Sequence, residues 1–246
     1  MTDEKKDILY NLLRNIGQNE DKLCEKMFLT GFLGMKGRNY NGELMVIGKA
    51  ANGWIDGWLP KDVKNETKIN EIVEQIIKAS NNNPMDWVIK CWGHKIKEYN
   101  SYNAKTSAFW RVTHKVLVRL GIAEDNDEDK SWPSKLFWTN LYKISPYCGG
   151  NPDHSLKELQ EEFCKKLLKI EIHEANPKKI LMLTGLDWAK PFLDYLEIRN
   201  IDGKNEYIEA KGFFPEQADC VVVVAKHPQG KNEDEYVKEV VNAFRE

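Results

Sequence analysis

The stretch "VVVVAKHPQG", residues 221–230, decides how this chain is read. Four consecutive valines leave no polar face, so the strand they form is shielded from water on both sides. A half-solvated strand alternates apolar and polar residues; a continuously apolar run belongs to a parallel sheet covered on both faces by helices. The run then stops abruptly at Lys226, His227, Pro228, Gln229 and Gly230, with Lys231 just beyond. In open parallel sheets ligands bind beyond the carboxyl ends of the strands. A buried strand that ends in a lysine and a histidine therefore directs attention to that edge.

Three further runs have the same character: Leu44 to Ile47 ending at Gly48, "LFWTN" at 136–140, and "KKILMLTG" with its strand at 179–185. Helical stripes separate them. Ile8, Leu9, Leu12, Leu13 and Ile16 share one face over residues 5–16, and a second short helix is expected around 21–29. Ile69, Ile72, Val73, Ile76 and Ile77 form a face over 67–80, and residues 81–106 read as an irregular, Asn-rich excursion with one short helix. Ser107 opens a helix through Leu120 that Gly121 can end. Ser155 and Glu158 form a capping-box pattern before a long helix, a helix follows near 188–196, and Asn232 and Glu235 are placed to cap the last one. Alternating strands and helices define an α/β class. The expectation is a three-layer α/β/α sandwich around a four-stranded parallel sheet. It is expected as a single domain over 1–246, with N-terminal helices in 1–40 and an insertion at about 55–106.

Composition narrows the function. Lys plus Arg number 36 against 38 Asp plus Glu, so a uniformly basic coat is excluded while a local basic cleft is not. No apolar run approaches the roughly 20 residues a membrane span needs. The charged start "MTDEKKDILY" lacks a signal-peptide core, and the five cysteines form no CxxC pair, which together suggest reduced thiols in a cytoplasmic protein. No metal-ligand spacing is present, and the acidic run "EDNDEDK" lacks the glycine and spacing of a calcium loop. No cofactor and no metal are expected, and a monomer is.

The residues following each strand carry the chemistry. They are Lys49, Asn52 and Trp54 after the first, Asn140, Lys143 and Tyr147 at the second, Thr184, Asp187 and Lys190 after the third, and Lys226, His227, Gln229 and Lys231 after the fourth. Lysines on one edge attract an anion such as phosphate, and asparagine offers the paired donor and acceptor that suit a base edge. The same lysines are equally compatible with solvated loop starts, and His227 with a structural histidine.

The ordered set of strand-end motifs resembles the uracil-DNA glycosylase superfamily over roughly residues 43–244. "VIGKAANGW" is similar to its glycine-led loop that holds the catalytic water; "SAFWRVTHKVLVRLGI" to a Phe-Trp pair opening a helix; "FWTNLYKISPYCGGNP" to the segment whose asparagine reads the flipped uracil; and "VVVVAKHPQGK" to the strand ending in His-Pro. The resemblance implies DNA, or a nucleotide, as partner and hydrolysis of the N-glycosidic bond of uracil or another deaminated base. It makes His227 the donor to the departing base, with Asn52 orienting water and Asn140 reading the base. Gly48 and Lys49 then lie in the water loop, with Trp54 or Phe109 stacking on the base. Lys143, Lys226, Gln229 and Lys231 meet the DNA. The chain departs from the pattern at the first motif, where the usual aspartate is missing; Asp56 lies outside it. Gln229 replaces a common serine, and Cys24 stands alone, so no iron–sulfur cluster is expected. Two alternatives remain beside this reading: a module on the same fold that binds nucleic acid or nucleotide without cleaving it, and a small-molecule enzyme on a generic α/β sheet.

Overall fold

β9 (Val221–Ala225) lies inside the sheet, as its valines require: Val222, Val223 and Val224 are at most 1% exposed. The computed structural model describes residues 3–51, 53–81, 85–97, 102–125, 130–201, 205–217 and 219–245. Before β9 come β1 (Leu29–Gly31), β2 (Met35–Lys36), β3 (Leu44–Ala50), β4 (Phe137–Tyr142), β5 (Ile144–Pro146), β6 (Lys179–Met182), β7 (Arg199–Ile201) and β8 (Ile208–Phe213). The helices are α1 (Asp3–Gln18), α2 (Glu66–Asn81), α3 (Asp86–Lys90), α4 (Ala108–Arg119), α5 (His154–Ala175), α6 (Leu186–Tyr195) and α7 (Glu233–Arg245). Among the described residues no helix is long and apolar enough to cross a membrane.

The chain divides into two compact units. Unit 2 is Met35–Gly48, Asn83–Thr139 and Ala175–Glu246. It holds a mixed α/β arrangement whose sheet has the order β2-β4-β3-β6-β9-β8-β7. β3, β6 and β9 are parallel neighbours in the rows Leu44↔Lys179↔Val221 to Ile47↔Met182↔Val224. Among the described residues the sheet thus has seven strands where four were expected, and the pairings of β2 with β4, β8 with β9 and β7 with β8 are antiparallel. β8 escapes a sequence reading because "IEAKGF" carries Glu, Lys and Gly, and because its pairing with β9 shifts register between Ile208 and Ala210. α6 packs on β9, and α7 packs on β8 and β9. Five tryptophans, Trp87, Trp92, Trp110, Trp132 and Trp138, form a continuous aromatic cluster with centroids 5.1 to 6.3 Å apart. They serve as core.

Unit 1 is Met1–Gly34, Lys49–Asn82 and Asn140–Glu174. Leu9, Leu12, Leu13 and Ile16 of α1 and Ile69, Ile72, Val73 and Ile76 of α2 are essentially unexposed, each helix burying one amphipathic face. β1 and β5 form a two-stranded antiparallel ribbon with Thr30 opposite Ser145. The short helix expected around 21–29 is only a 3-10 turn at Glu20–Lys22. The chain is extended by Leu29 because that residue exchanges backbone hydrogen bonds with Trp58 and pairs with Pro146. The long helix α5 is capped by Asp153 rather than Ser155, the Asp153 carboxylate accepting from the Leu156 N–H at 2.9 Å.

Near its end α1 passes so close to the 60–64 turn that a Cβ on Gly17 would sit 2.2 Å from the Val63 carbonyl oxygen. Alanine gains about 1 kcal/mol of helix propensity over glycine, but overpacking against backbone costs about 1–3 kcal/mol. We expect Gly17→Ala to be a net destabilisation of up to about 2 kcal/mol by urea unfolding. A more stable variant would show that the turn can move away.

Candidate functional site

Unit 2 presents the carboxyl edge of β3, β6 and β9. Extending the register row past Ile47↔Met182↔Val224 brings Gly48, Leu183 and Ala225 level. Gly48 and Ala225 are therefore two strand spacings, roughly 10 Å, apart. At the middle position one helix N–H already has a carboxylate partner. The Leu186 N–H at the start of α6 already donates to the Glu209 carboxylate at 2.7 Å, the interaction that a bound anion would otherwise make.

The β9 end is firmly held. The Lys226 N–H donates to the Tyr207 carbonyl, and the Lys226 carbonyl accepts from the Tyr236 hydroxyl. Burial, with Glu209 adding to it, pushes the Tyr236 pKa upward, so this hydroxyl stays a neutral donor. His227 is half-buried, and its Nδ1 faces the Gln229 N–H at 3.4 Å. An N–H directed at Nδ1 favours the tautomer that carries its proton on Nε2. Lys226 is half-buried, while Gln229 and Lys231 are exposed, and the Lys231 N–H closes a turn onto the Pro228 carbonyl at 3.2 Å. Arg111 and Lys115 of α4 both bond Glu233 at the start of α7, and Lys115 also bonds Asp234. Phe109, half-buried in the first turn of α4, packs edge-on to Trp110 at 5.0 Å.

Unit 1 holds Lys49, Trp54, Asn140 and Lys143. Asn52 lies outside the described residues. Lys49 is half-buried at the end of β3, and its pKa is lowered first by burial and then by the positive charge of Lys157 in the first turn of α5. Lys157 carries no motif, and only the fold brings it within electrostatic reach of Lys49. The loop after β3 is tied to the ribbon. Thr30 Oγ1 accepts from the Trp54 and Ile55 N–H groups at 3.0 and 2.9 Å and donates to the Ile55 carbonyl at 3.1 Å, while Ser145 Oγ donates to the Ala51 carbonyl. Trp54 is half-buried and edge-on to Phe32 at 5.6 Å.

Asn140 is the fourth residue of β4 rather than its end, and is 2% exposed. Its carbonyl accepts from the Lys143 ammonium at 2.7 Å. The expectation that Lys143 meets DNA phosphates is overturned by its burial. Its ammonium pairs with Glu171 at 2.7 Å with both side chains wholly unexposed, and Glu171 also accepts from the Gly34 N–H at 2.8 Å. The neighbouring Cys164 thiol donates to Gln160 and is pushed up to about 12 by burial, so it is no thiolate ligand. Among the described residues no group of three His, Cys, Asp or Glu side chains could hold a metal ion. No protein-family model matches this chain, and no curated protein matches it either.

Two expectations follow. Lys143→Met strands the Glu171 charge in the interior and should cost about 3–5 kcal/mol in urea unfolding. It should leave the salt dependence of oligonucleotide binding unchanged, and a shallower salt slope at unchanged stability would return Lys143 to the surface. Glu233 titrates below its ordinary value: burial acts to raise its pKa, but hydrogen bonds and charge from Arg111 and Lys115 outweigh it. A depressed carboxylate stabilises above its unfolded pKa and loses that contribution as pH falls through the folded value. Glu233→Gln should therefore lower Tm at pH 7 and flatten the decline of Tm below pH 4.5. Parallel Tm–pH curves for the two proteins would contradict this.

Proposed function

We propose that this chain is a DNA glycosylase of the uracil-DNA glycosylase type, built as a three-layer α/β/α sandwich. It would hydrolyse the N-glycosidic bond of uracil or another deaminated base. The observation that carries the reading is the held geometry of His227. The Lys226 backbone at the end of β9 is anchored through both its N–H and its carbonyl, and the Gln229 N–H directed at Nδ1 favours the tautomer that carries its proton on Nε2. As the glycosidic bond breaks, negative charge grows on the base, and a fixed N–H in a poorly solvated site stabilises it. Asn140, buried and carried on a strand, has the amide that can match the donor and acceptor of a base edge. Extrusion of the base from the stack precedes chemistry, and Gln229 and Lys231, both exposed, are the groups offered to the opened strand and its phosphates. Asn52 would orient the water.

The second reading is a binding module without cleavage. It is favoured by the first motif, where "GKAANG" supplies Lys49 and two alanines before Asn52 and no carboxylate. A Lys49 whose charge is opposed by burial and by Lys157 suits the holding of an anion as well as it suits catalysis.

Single-turnover cleavage of uracil-, hypoxanthine- and xanthine-containing oligonucleotides, with salt-titrated binding, separates the readings. His227→Ala should slow cleavage by about 100-fold or more, the scale of a lost oxyanion donor, with little change in affinity. Lys231→Ala should weaken binding and flatten its salt dependence while the saturated rate holds. Asn140→Asp should impair uracil, since a carboxylate cannot donate to a base carbonyl. Wild-type cleavage by His227→Ala removes the histidine from the chemistry; binding without cleavage of any base hands the protein to the second reading.

A further inference from the structure

We infer that Tyr236 of α7 is a positioning residue that fixes the end of β9 and with it His227. Its side chain is 0% exposed, so the hydroxyl must find its acceptor inside the protein. That acceptor is the Lys226 carbonyl, which belongs to the peptide joining Lys226 to His227. A peptide unit is planar, so holding its carbonyl in one direction also sets the Cα from which the histidine ring departs. The ladder between β8 and β9 runs to the pair Ile208↔Ala225. One residue further, the Lys226 N–H still reaches backbone at the Tyr207 carbonyl, and the Lys226 carbonyl is taken by a helix side chain.

The helix that supplies this hydroxyl is itself fixed on both sides of it. Glu233, Tyr236 and Glu239 recur at intervals of three along α7, which places successive members beside one another on the helix surface. Glu233 binds Arg111 and Lys115 of α4, and Glu239 accepts from the Tyr207 N–H at 2.9 Å. The Tyr207 and Tyr236 rings lie 5.3 Å apart, so the residue that holds the Lys226 N–H packs on the residue that holds its carbonyl. The two hydroxyls differ in what they do. That of Tyr236 binds the backbone before His227, whereas that of Tyr207 faces the Glu235 carboxylate at 3.5 Å. Burial keeps the Tyr236 phenol protonated, so it remains a donor. A histidine that must aim an N–H at one oxygen depends on such placement, since a misplacement of about 1 Å can cost a factor of about 100 in rate.

The inference rests on the glycosylase reading of His227, so its test carries arms independent of cleavage. Tyr236→Phe and Tyr207→Phe remove the same atom from neighbouring buried rings, and only the first loses a bond to the Lys226 carbonyl. Single-turnover cleavage of a uracil-containing oligonucleotide, affinity for it, nitrogen NMR of the His227 ring and amide exchange at Lys226 are measured for both. We expect Tyr236→Phe to cleave roughly tenfold more slowly, less than a displacement of a full ångström would cost. Its affinity should hold, because phosphate contacts dominate binding. Its His227 nitrogens should move from a predominantly Nε2–H pattern toward a mixture of tautomers, and the Lys226 amide should exchange faster while those of Val222 to Val224 exchange as before. Tyr207→Phe should match the unmodified protein in all four measurements.

Wild-type cleavage by Tyr236→Phe overturns the inference, and so does slower cleavage with unchanged His227 signals. Equal loss in the two variants also overturns it, since that is the effect of removing any buried phenol oxygen. If the unmodified protein cleaves no base, the glycosylase reading falls on its own and the ring nitrogens decide the positioning role. A tautomer mixture in Tyr236→Phe alone then supports it, and the unmodified pattern in Tyr236→Phe overturns it.

Discussion

A wholly buried ion pair, Lys143 with Glu171, governs the passage from the β4 strand to the β5 ribbon. Burying two charges is costly unless each is paired and its remaining hydrogen-bonding capacity is met. Here the ammonium also reaches the Asn140 carbonyl, and the carboxylate also receives the Gly34 N–H. Gln160 completes the bend. Its side-chain oxygen accepts from the Lys143 and Ile144 N–H groups and its amide donates to the Ile144 carbonyl, so a helix side chain takes the place of a neighbouring strand. One network thereby fixes the backbone of Asn140, the start of β5 and hence the place of Ser145.

The ribbon so placed governs the loop after β3, through two hydroxyls rather than through apolar packing. Hydrophobic contact is non-directional, and it would hold the loop near the ribbon without fixing which peptide groups face which way. Hydrogen bonds to a carbonyl and to two successive N–H groups do fix this. At the β9 end the same economy recurs: Tyr236 and Tyr207 bind the backbone of Lys226, and the strand hands His227 to the sheet edge with its ring orientation set by the next turn. Function on this chain is proposed to reside where buried polar groups hold irregular backbone, the usual relation between a rigid scaffold and the loops it carries.

Much of the scaffold was legible from local pattern. The apolar runs at 44–47, 179–182 and 221–225 became three parallel neighbours, and the helical stripes of α1, α2, α4 and α7 face inward as their spacing implies. Periodicity reports burial, and burial is what these elements have in common. β1, β2, β5 and β7 were invisible because each spans only two or three residues, and β1, β2 and β5 owe their conformation to partners distant in sequence. β8 was invisible because its residues do not alternate and its pairing is interrupted.

Composition and order alone determined that this is an α/β chain, that β9 is buried, and that His227 follows it. Whether a lysine at a strand end meets solvent or a carboxylate was decided only by tertiary structure. Lys231 and Lys143 are both lysines beside strand-end motifs, yet one is exposed and the other lies wholly inside against a glutamate 28 residues away. The physical reason is that charge burial depends on a partner, and a partner that distant in sequence leaves no local signature. The same holds for Lys157 beside Lys49, and for Thr30 beside Ser145. Their chemistry is ordinary in the sequence and becomes specific only when the fold sets the two groups together.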